Sequence, residues 1–172
     1  VRLDLQAHQF SKSLRKVIKR NNERFQFHFG KAVIDVPREN LYQRYRAIFP
    51  GMIAPSILDS LQDGDHFNVY NTYEFTVYDG DKLIAVSYFD LGEDSIASIL
   101  GFYDPEYKPF SLGLYTMLME VEYGKIQGFK YFYPGYVVPG YDRFEYKLRI
   151  GPVDYYDLRS GDWLPYAAFT KE

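Results

Sequence analysis

Hydrophobic and polar positions switch between two periods along this chain. In "SKSLRKVIKRN", Ser11 to Asn21, the apolar Leu14, Val17 and Ile18 share one side of a helical wheel. Lys12, Arg15, Lys16, Lys19 and Arg20 share the other, so the stretch predicts an amphipathic helix opened by Ser and closed by Asn-Asn. "FQFHF", Phe25 to Phe29, alternates strictly and predicts a strand. Arg38 to Phe49 predicts a helix after Pro37, and "PSILDSLQDG" a short second one closed by Gly64. In "TYEFTVYDGDKLIAVSYFDL" two β-rich runs flank Asp79-Gly80, which predicts a hairpin. "DSIASILGFYD" predicts the next strand, and Ser111 to Gly128 a helix ended by its glycine. "KYFYPGYVV" reads as a strand broken at Pro134-Gly135, followed by a turn-rich tail.

Composition narrows the picture. The 172 residues are expected to form one domain, residues 1–172, of the α/β (α+β) class. A net charge of −3 argues against binding nucleic acid with the whole surface but allows a local basic patch. With no cysteine there are no disulfides or thiolate metal sites, which fits a reducing compartment, and the cytoplasm is the expected location. Apolar runs are too short for a membrane span, and no targeting signal is visible. The three histidines, His8, His28 and His66, lack metal-ligand spacing. The sequence opens at Val1 without a methionine, so upstream residues are expected.

Hairpin, strand, helix, strand is the order of the GNAT acyltransferase core, a mostly antiparallel sheet flanked by helices. The residues go further. "FSKSLRKVIKRN", "LYQRY", "DKLIAVSYFDLGEDSIASILGFYDPEY", "FSLGLYTMLMEVE", "YFYPGYVVPGYDRFEYK" and "GDW" occur in order over most of the chain. In these stretches the chain resembles the C-terminal domain of arginyl-tRNA–protein transferases and the related bacterial aspartate/glutamate leucyltransferases. It departs from them at Pro134, where the family has Leu, and at Phe144 and Glu145, where it has "KM". The family's preceding cysteine-rich segment is not in this sequence. The resemblance implies transfer of arginine or leucine from charged tRNA to protein N-termini that bear Asp or Glu. Its partners would be the tRNA and N-terminal peptides, with no membrane and no cofactor beyond the aminoacyl-tRNA donor.

The chemistry such a reaction needs can be set against the residues. The donor ester is already activated. An α-amine with a pKa near ~7.7–8.0 loses its proton at pH 7 at a cost of only about 1 kcal/mol. Positioning and oxyanion stabilisation therefore matter more than a strong base. Tyrosine suits this work, stacking on single-stranded bases and offering a hydroxyl donor. "KYFYPGYVVPGYDRFEYK" carries Tyr131, Tyr133, Tyr136, Tyr141 and Tyr146. The competing reading is aromatic packing on a sheet, favoured for Tyr131 and Tyr133. Tyr136 and Tyr146 stand evenly between packing and catalysis. An acidic acceptor side chain wants a cation, and Lys147 or Arg149 are the candidates. The helix start near Ser111 offers amides to a nucleotide phosphate. Asp104 is a turn former first and a candidate second. In the Ser111–Gly128 helix, apolar almost all round, Glu122 falls within the apolar arc. It is expected to be buried and catalytic, or else paired with Lys125. Glu120 is assigned to the polar side without a role. Lys12, Arg15, Lys16, Lys19 and Arg20 form a stripe suited to tRNA phosphates, against the ordinary reading of a solvated helix face. Two alternatives stand beside transfer: a CoA-dependent N-acetyltransferase, and a GNAT-like binding domain without catalysis. "EYKPFSLG" has only Gly113 where a pyrophosphate cradle needs several glycines, and Pro109 removes an amide, which argues against CoA.

Overall fold

The computed structural model describes residues 1–49, 51–65, 67–138, 140 and 142–169, so Tyr141 and His66 lie outside the described residues. The basic segment forms α1, Lys12–Arg24, with Ser11 accepting from the Leu14 amide as its cap. It runs past its predicted end because Asn21 is fully buried and donates to the carbonyls of Val17 and Phe110 at 2.8 and 3.1 Å. A tertiary hydrogen bond here outweighs the local tendency of Asn-Asn to end a helix. β2 is Gln26–Lys31, and Phe25 turns into the core against Phe110 instead of starting the strand. α2, Val36–Ile48, starts earlier than predicted because Asp35 caps it and Pro37 sits in the first turn, where a missing amide does no harm. α3 is Ile57–Gln62.

β3, Thr72–Asp79, and β4, Lys82–Leu91, form the hairpin. Its loop is Gly80-Asp81, with Gly80 at φ 60°, one residue later than the sequence indicated. β5 is Ser95–Tyr103. A 3₁₀ turn, Pro105–Phe110, leads into α4, Leu112–Gln127, which Gly128 closes at φ 79°. β6 is only Tyr131–Tyr133. α5, Asp142–Glu145, and a second 3₁₀ turn, Tyr146–Ile150, follow. The turn-rich tail holds a hairpin of β7, Asp154–Asp157, and β8, Asp162–Pro165, then α6, Tyr166–Phe169.

One six-stranded sheet runs in the order β1-β6-β5-β4-β3-β2, where β1 is Leu3–Asp4. Every pairing is antiparallel except β5 with β6, which is parallel. α1 and α4 cover one face, packing Leu14, Leu118 and Val121 on Phe75, Phe89 and Phe132. α2 and α3 cover the other, packing Leu41, Tyr42 and Ile57 on Val86, Tyr88 and Phe102. The β7–β8 hairpin is tied to the β1–β6 edge by Arg2, whose guanidinium lies 4.3 Å from the rings of both Tyr131 and Trp163. No described helix is long and apolar enough to cross a membrane.

The segment between β1 and α1 stores a pH response. His8 is 4 % exposed, and among the described residues neither ring nitrogen has a hydrogen-bond partner. Burial, then the charge of Lys125, lowers its pKa from 6.5 to about 4. The fold therefore resists a proton that the unfolded chain accepts, and stability present above pH 6.5 is lost as pH falls toward 4. The loss approaches about 3 kcal/mol. Urea denaturation of wild type and His8→Leu at pH 7 and 4.5 is expected to show a smaller acid loss in the variant. Equal losses would dismiss His8 as its source.

Candidate active site

The parallel pairing of β5 and β6 runs from Ser95↔Tyr131 to Ala97↔Tyr133 and stops. Pro134 has no amide to continue the ladder, and Gly135, at φ 97°, turns the chain away. β5 runs on to Tyr103, so the two strands part beyond Ala97 and Tyr133. This is where the sequence placed the parting, and α4 lies between the two strands in chain order as expected.

Beyond Ala97 the edge of β5 that paired with β6 has no partner strand among the described residues. The Asp104 amide donates to the Ile84 carbonyl, which fixes the alternation of the β4–β5 ladder. Phe102 and Leu100 then bond toward β4, while Gly101, opposite Ser87, points its amide and carbonyl at the gap. Gly101 is exposed, with nothing within 4 Å of where a Cβ would stand. A bulge between Tyr88 and Phe89 leaves Ile99 without a partner on β4 and brings Ser98 opposite Phe89.

Beneath this edge lies Glu120 of α4, fully buried. Ser87 donates a hydrogen bond to its Oε1, while among the described residues Oε2 has no hydrogen-bond partner. Burial pushes the Glu120 carboxyl well above the ordinary carboxylate range, and the Ser98 hydroxyl opposes this only in part. The expectation of a buried Glu122 is therefore corrected. Glu122 is half-exposed and acts on Tyr115, whose hydroxyl donates to Asn22 at 2.6 Å. Nor does Lys125 pair with it: that ammonium donates to the His8 carbonyl and lies over Phe10. α4 is apolar on nearly every side, so the sheet, not the wheel, decided which glutamate is enclosed.

The other residues singled out in the sequence separate into groups. Tyr146 is 36 % exposed, yet burial of its hydroxyl, then Glu120 and Tyr103, pushes its pKa up to about 12. Lys147 is half-buried, donates to the Tyr136 carbonyl at 3.3 Å and lies under the rings of Tyr136 and Phe144. Burial lowers its pKa. Tyr136 is 68 % exposed, and Arg149 is exposed. Tyr133 packs edge-on against Trp163 at 5.8 Å. Ser111 has a left-handed backbone, φ 56°, and no side chain caps α4. Asp104 is 2 % exposed and sits at the end of β5, bonded to Arg44 and Lys82 at 3.1 and 3.0 Å. Burial alone would raise its pKa, but the bonds from Lys82 and the Glu106 amide hold it below the usual range.

Lys12, Arg15, Lys16, Lys19 and Arg20 are all exposed. Arg20 stacks over Phe110 at 5.4 Å, and Asn21 bonds the Phe110 carbonyl, so the basic stripe adjoins the turn that starts α4. That turn is wound as 3₁₀ helix with Phe110 packed on Phe25, not as an open glycine cradle. Gly113 instead accommodates Tyr103, whose ring would meet a Cβ there at 3.4 Å. Among the described residues no cluster of three His, Asp or Glu is placed to hold a metal.

Known proteins are similar to this chain in sequence or in fold. Aspartate/glutamate leucyltransferase from Leptospira interrogans is 28% identical over 168 residues, covering 94% of this chain and 65% of the relative. The protein of the same description from Acinetobacter baumannii strain ATCC 17978 is 31% identical over 126 residues, covering 72% of this chain and 46% of the relative. The chain thus spans about half to two thirds of the curated relatives it matches. In fold it is similar to the ribosomal-protein-S18-alanine N-acetyltransferase of Escherichia coli, with TM-score 0.52, 13% identity, and 81% and 94% of the two chains covered. The model for the arginine-tRNA-protein transferase C terminus matches residues 10–157, and the chain belongs to that family.

Proposed function

We propose that this chain carries the transfer site of an aminoacyl-tRNA–protein transferase of the N-end rule type, acting in the cytoplasm on N-termini that begin with Asp or Glu. The observation that carries the reading is the parting of β5 from β6 after Ala97 and Tyr133, beside the exposed Gly101 and with a cationic helix at the turn that starts α4. Family membership supports it, and the relatives' descriptions make leucine the first donor to test and arginine the second.

The reaction joins the acceptor nitrogen to the ester carbon as the ester C–O bond breaks. The proton lost by the amine ends on the departing ribose hydroxyl. A backbone amide such as that of Gly101 would stabilise the carbonyl oxygen as charge develops, and one such donor is worth roughly 2.7–4 kcal/mol. Tyr146, neutral with a pKa of about 12, supplies a hydroxyl donor. Glu120 touches no substrate and acts through its surroundings: kept neutral, it puts no fixed anion at the parting that would hold the acceptor amine as ammonium. The stripe on α1 holds the RNA backbone, and the uncapped α4 start takes a terminal phosphate.

The test is direct. The protein is incubated with tRNA charged with labelled leucine or arginine and with peptides beginning Asp, Glu or Ala. Label is expected on the Asp and Glu peptides, little on Ala, and none from free amino acid with ATP. Acetyl transfer from acetyl-CoA, with no transfer from either charged tRNA, would replace this reading with the acetyltransferase one. Peptide or tRNA binding without turnover would leave a binding domain.

A further inference from the structure

The break at Pro134-Gly135 ends the β6 ladder but does not by itself say where the chain goes next. A proline removes one amide, and a glycine at φ 97° can take several paths. The contact that fixes the path comes from eleven residues downstream of Tyr136. Lys147, on the 3₁₀ turn Tyr146–Ile150, donates to the Tyr136 carbonyl at 3.3 Å. The same ammonium lies 5.3 and 5.5 Å from the ring centres of Tyr136 and Phe144, which are 5.1 Å from each other. It also stands 2.9 Å from where a Cβ on residue 135 would be.

Gly135 therefore answers to two constraints. Its positive φ strains any residue with a side chain, and the ammonium adds a steric exclusion that depends on Lys147 alone. The lysine is turned inward for this contact. Burial lowers its pKa, and among the described residues no acid is placed to oppose that. What stabilises the charge is a backbone carbonyl and two ring faces. The 3₁₀ turn is fastened at its far end by Ile150, fully buried in the core that α4 shares. Tyr146 opens the same turn, with its hydroxyl electrostatically coupled to Glu120 and Tyr103.

We propose that Lys147 is a positioning residue: its ammonium clasps the Gly135-Tyr136 backbone to the 3₁₀ turn, fixing the course of the chain where β6 leaves β5 and holding Tyr146 in place. The clasp rests on the transferase reading only for the reaction that Tyr146 serves. It takes Lys147 away from recognition of an acidic acceptor, because the ammonium is bonded to a backbone carbonyl and covered by two rings.

A double-mutant cycle reads the contact itself. Gly135→Ala, Lys147→Ala and the pair are compared by urea denaturation at pH 7. The loss in folding equilibrium constant caused by Gly135→Ala is expected to be roughly threefold to tenfold smaller once the lysine is gone, as for residues in contact. If Gly135→Ala fails to fold with Lys147 present but folds in the Lys147→Ala background, the coupling is shown directly. Lys147→Met, which keeps the apolar stem without the charge, tests the consequence for the reaction. Its Tyr146 ring signal in ¹³C-tyrosine NMR, assigned with Tyr146→Phe, is expected to shift. Its kcat for transfer is expected to fall roughly tenfold to a hundredfold, with KM for the Asp peptide and the preference for Asp over Asn both kept. An additive cycle with an unmoved Tyr146 signal overturns the proposal, as does loss of the Asp preference at unchanged kcat in Lys147→Met. If the cycle couples and the signal moves but no charged tRNA supports transfer, the clasp stands and the transferase reading falls. If transfer occurs and the cycle is additive, only the clasp falls.

Discussion

Reversing Arg15, Lys16 and Lys19 to glutamate is expected to weaken tRNA binding on the order of a hundredfold near 0.1 M salt while leaving the fold intact. All three side chains are exposed, whereas Leu14 and Asn21 carry the inward contacts of α1. The only ion pair within α1 joins Lys19 to Glu23 at 3.7 Å, with both side chains largely exposed. Arg20 is left in place because it packs on Phe110 and its loss would disturb the turn before α4. The salt dependence gives the sharper measure. If the five cations neutralise about five phosphates, the logarithm of affinity falls with the logarithm of salt at a slope between roughly −3 and −5. Removing three contacts flattens that slope by about 2 to 3. Filter binding or fluorescence anisotropy between 50 and 200 mM salt reads both quantities. A wild-type affinity indifferent to salt, or a triple variant that binds as wild type does, would end the assignment of α1 to RNA.

Glu120→Gln should make the protein more stable at pH 8 and leave it unchanged near pH 4. A carboxyl whose folded pKa lies above its ordinary 4.5 takes up a proton on folding. The stability this brings is complete below 4.5 and is lost as pH rises from there toward the folded value. At pH 8 a buried acid is therefore a net burden, and glutamine keeps the acceptor that Ser87 uses without the ionisable group. Tm at pH 8 should rise above that of wild type, each kcal/mol shifting Tm by about 2–4 °C in a chain of this size. Transfer near pH 7 should persist in the variant, because the proposed working form of Glu120 is neutral. A decline of wild-type transfer toward alkaline pH should be weaker in Glu120→Gln. A lower Tm at pH 8 would mean that the carboxylate is ionised and paired, and the neutral-acid account would be lost.

The glutamates of α4 show where sequence reading stops. Glu120 and Glu122 are roughly 200° apart around the helix axis. On an ordinary amphipathic helix that separation distinguishes inside from outside. Here Leu114, Tyr115, Leu118, Met119 and Val121 are buried on several sides at once, so the wheel has no unique inner face. The polar Ser87 in the sheet below is the one signal that marked Glu120, and it becomes readable only once the pairing of β4 with α4 is known. In the same way, Asp104 drew attention as a turn residue, but Arg44, its partner across 60 positions of sequence, carried no mark of its own. β1 could not be found either, because a two-residue strand has no period.

Local sequence dictates the order of the main helices and strands, the cationic face of α1, the caps at Ser11 and Gly128, and the break at Pro134-Gly135. These follow from periodicity and from backbone chemistry local to a few residues. It also determined the family, through motifs spread over most of the chain. Long-range packing sets the rest: β6 pairs with β5 for three residues before the strands part, and Glu120 is the enclosed carboxyl. It alone set Lys147 beneath aromatic rings and gathered Arg44, Lys82 and Asp104 into one groove. The reason is physical: burial and ion pairing depend on which distant surfaces meet, and a helix that is apolar all round, or a charge half-open to water, takes its role from the partner it packs against.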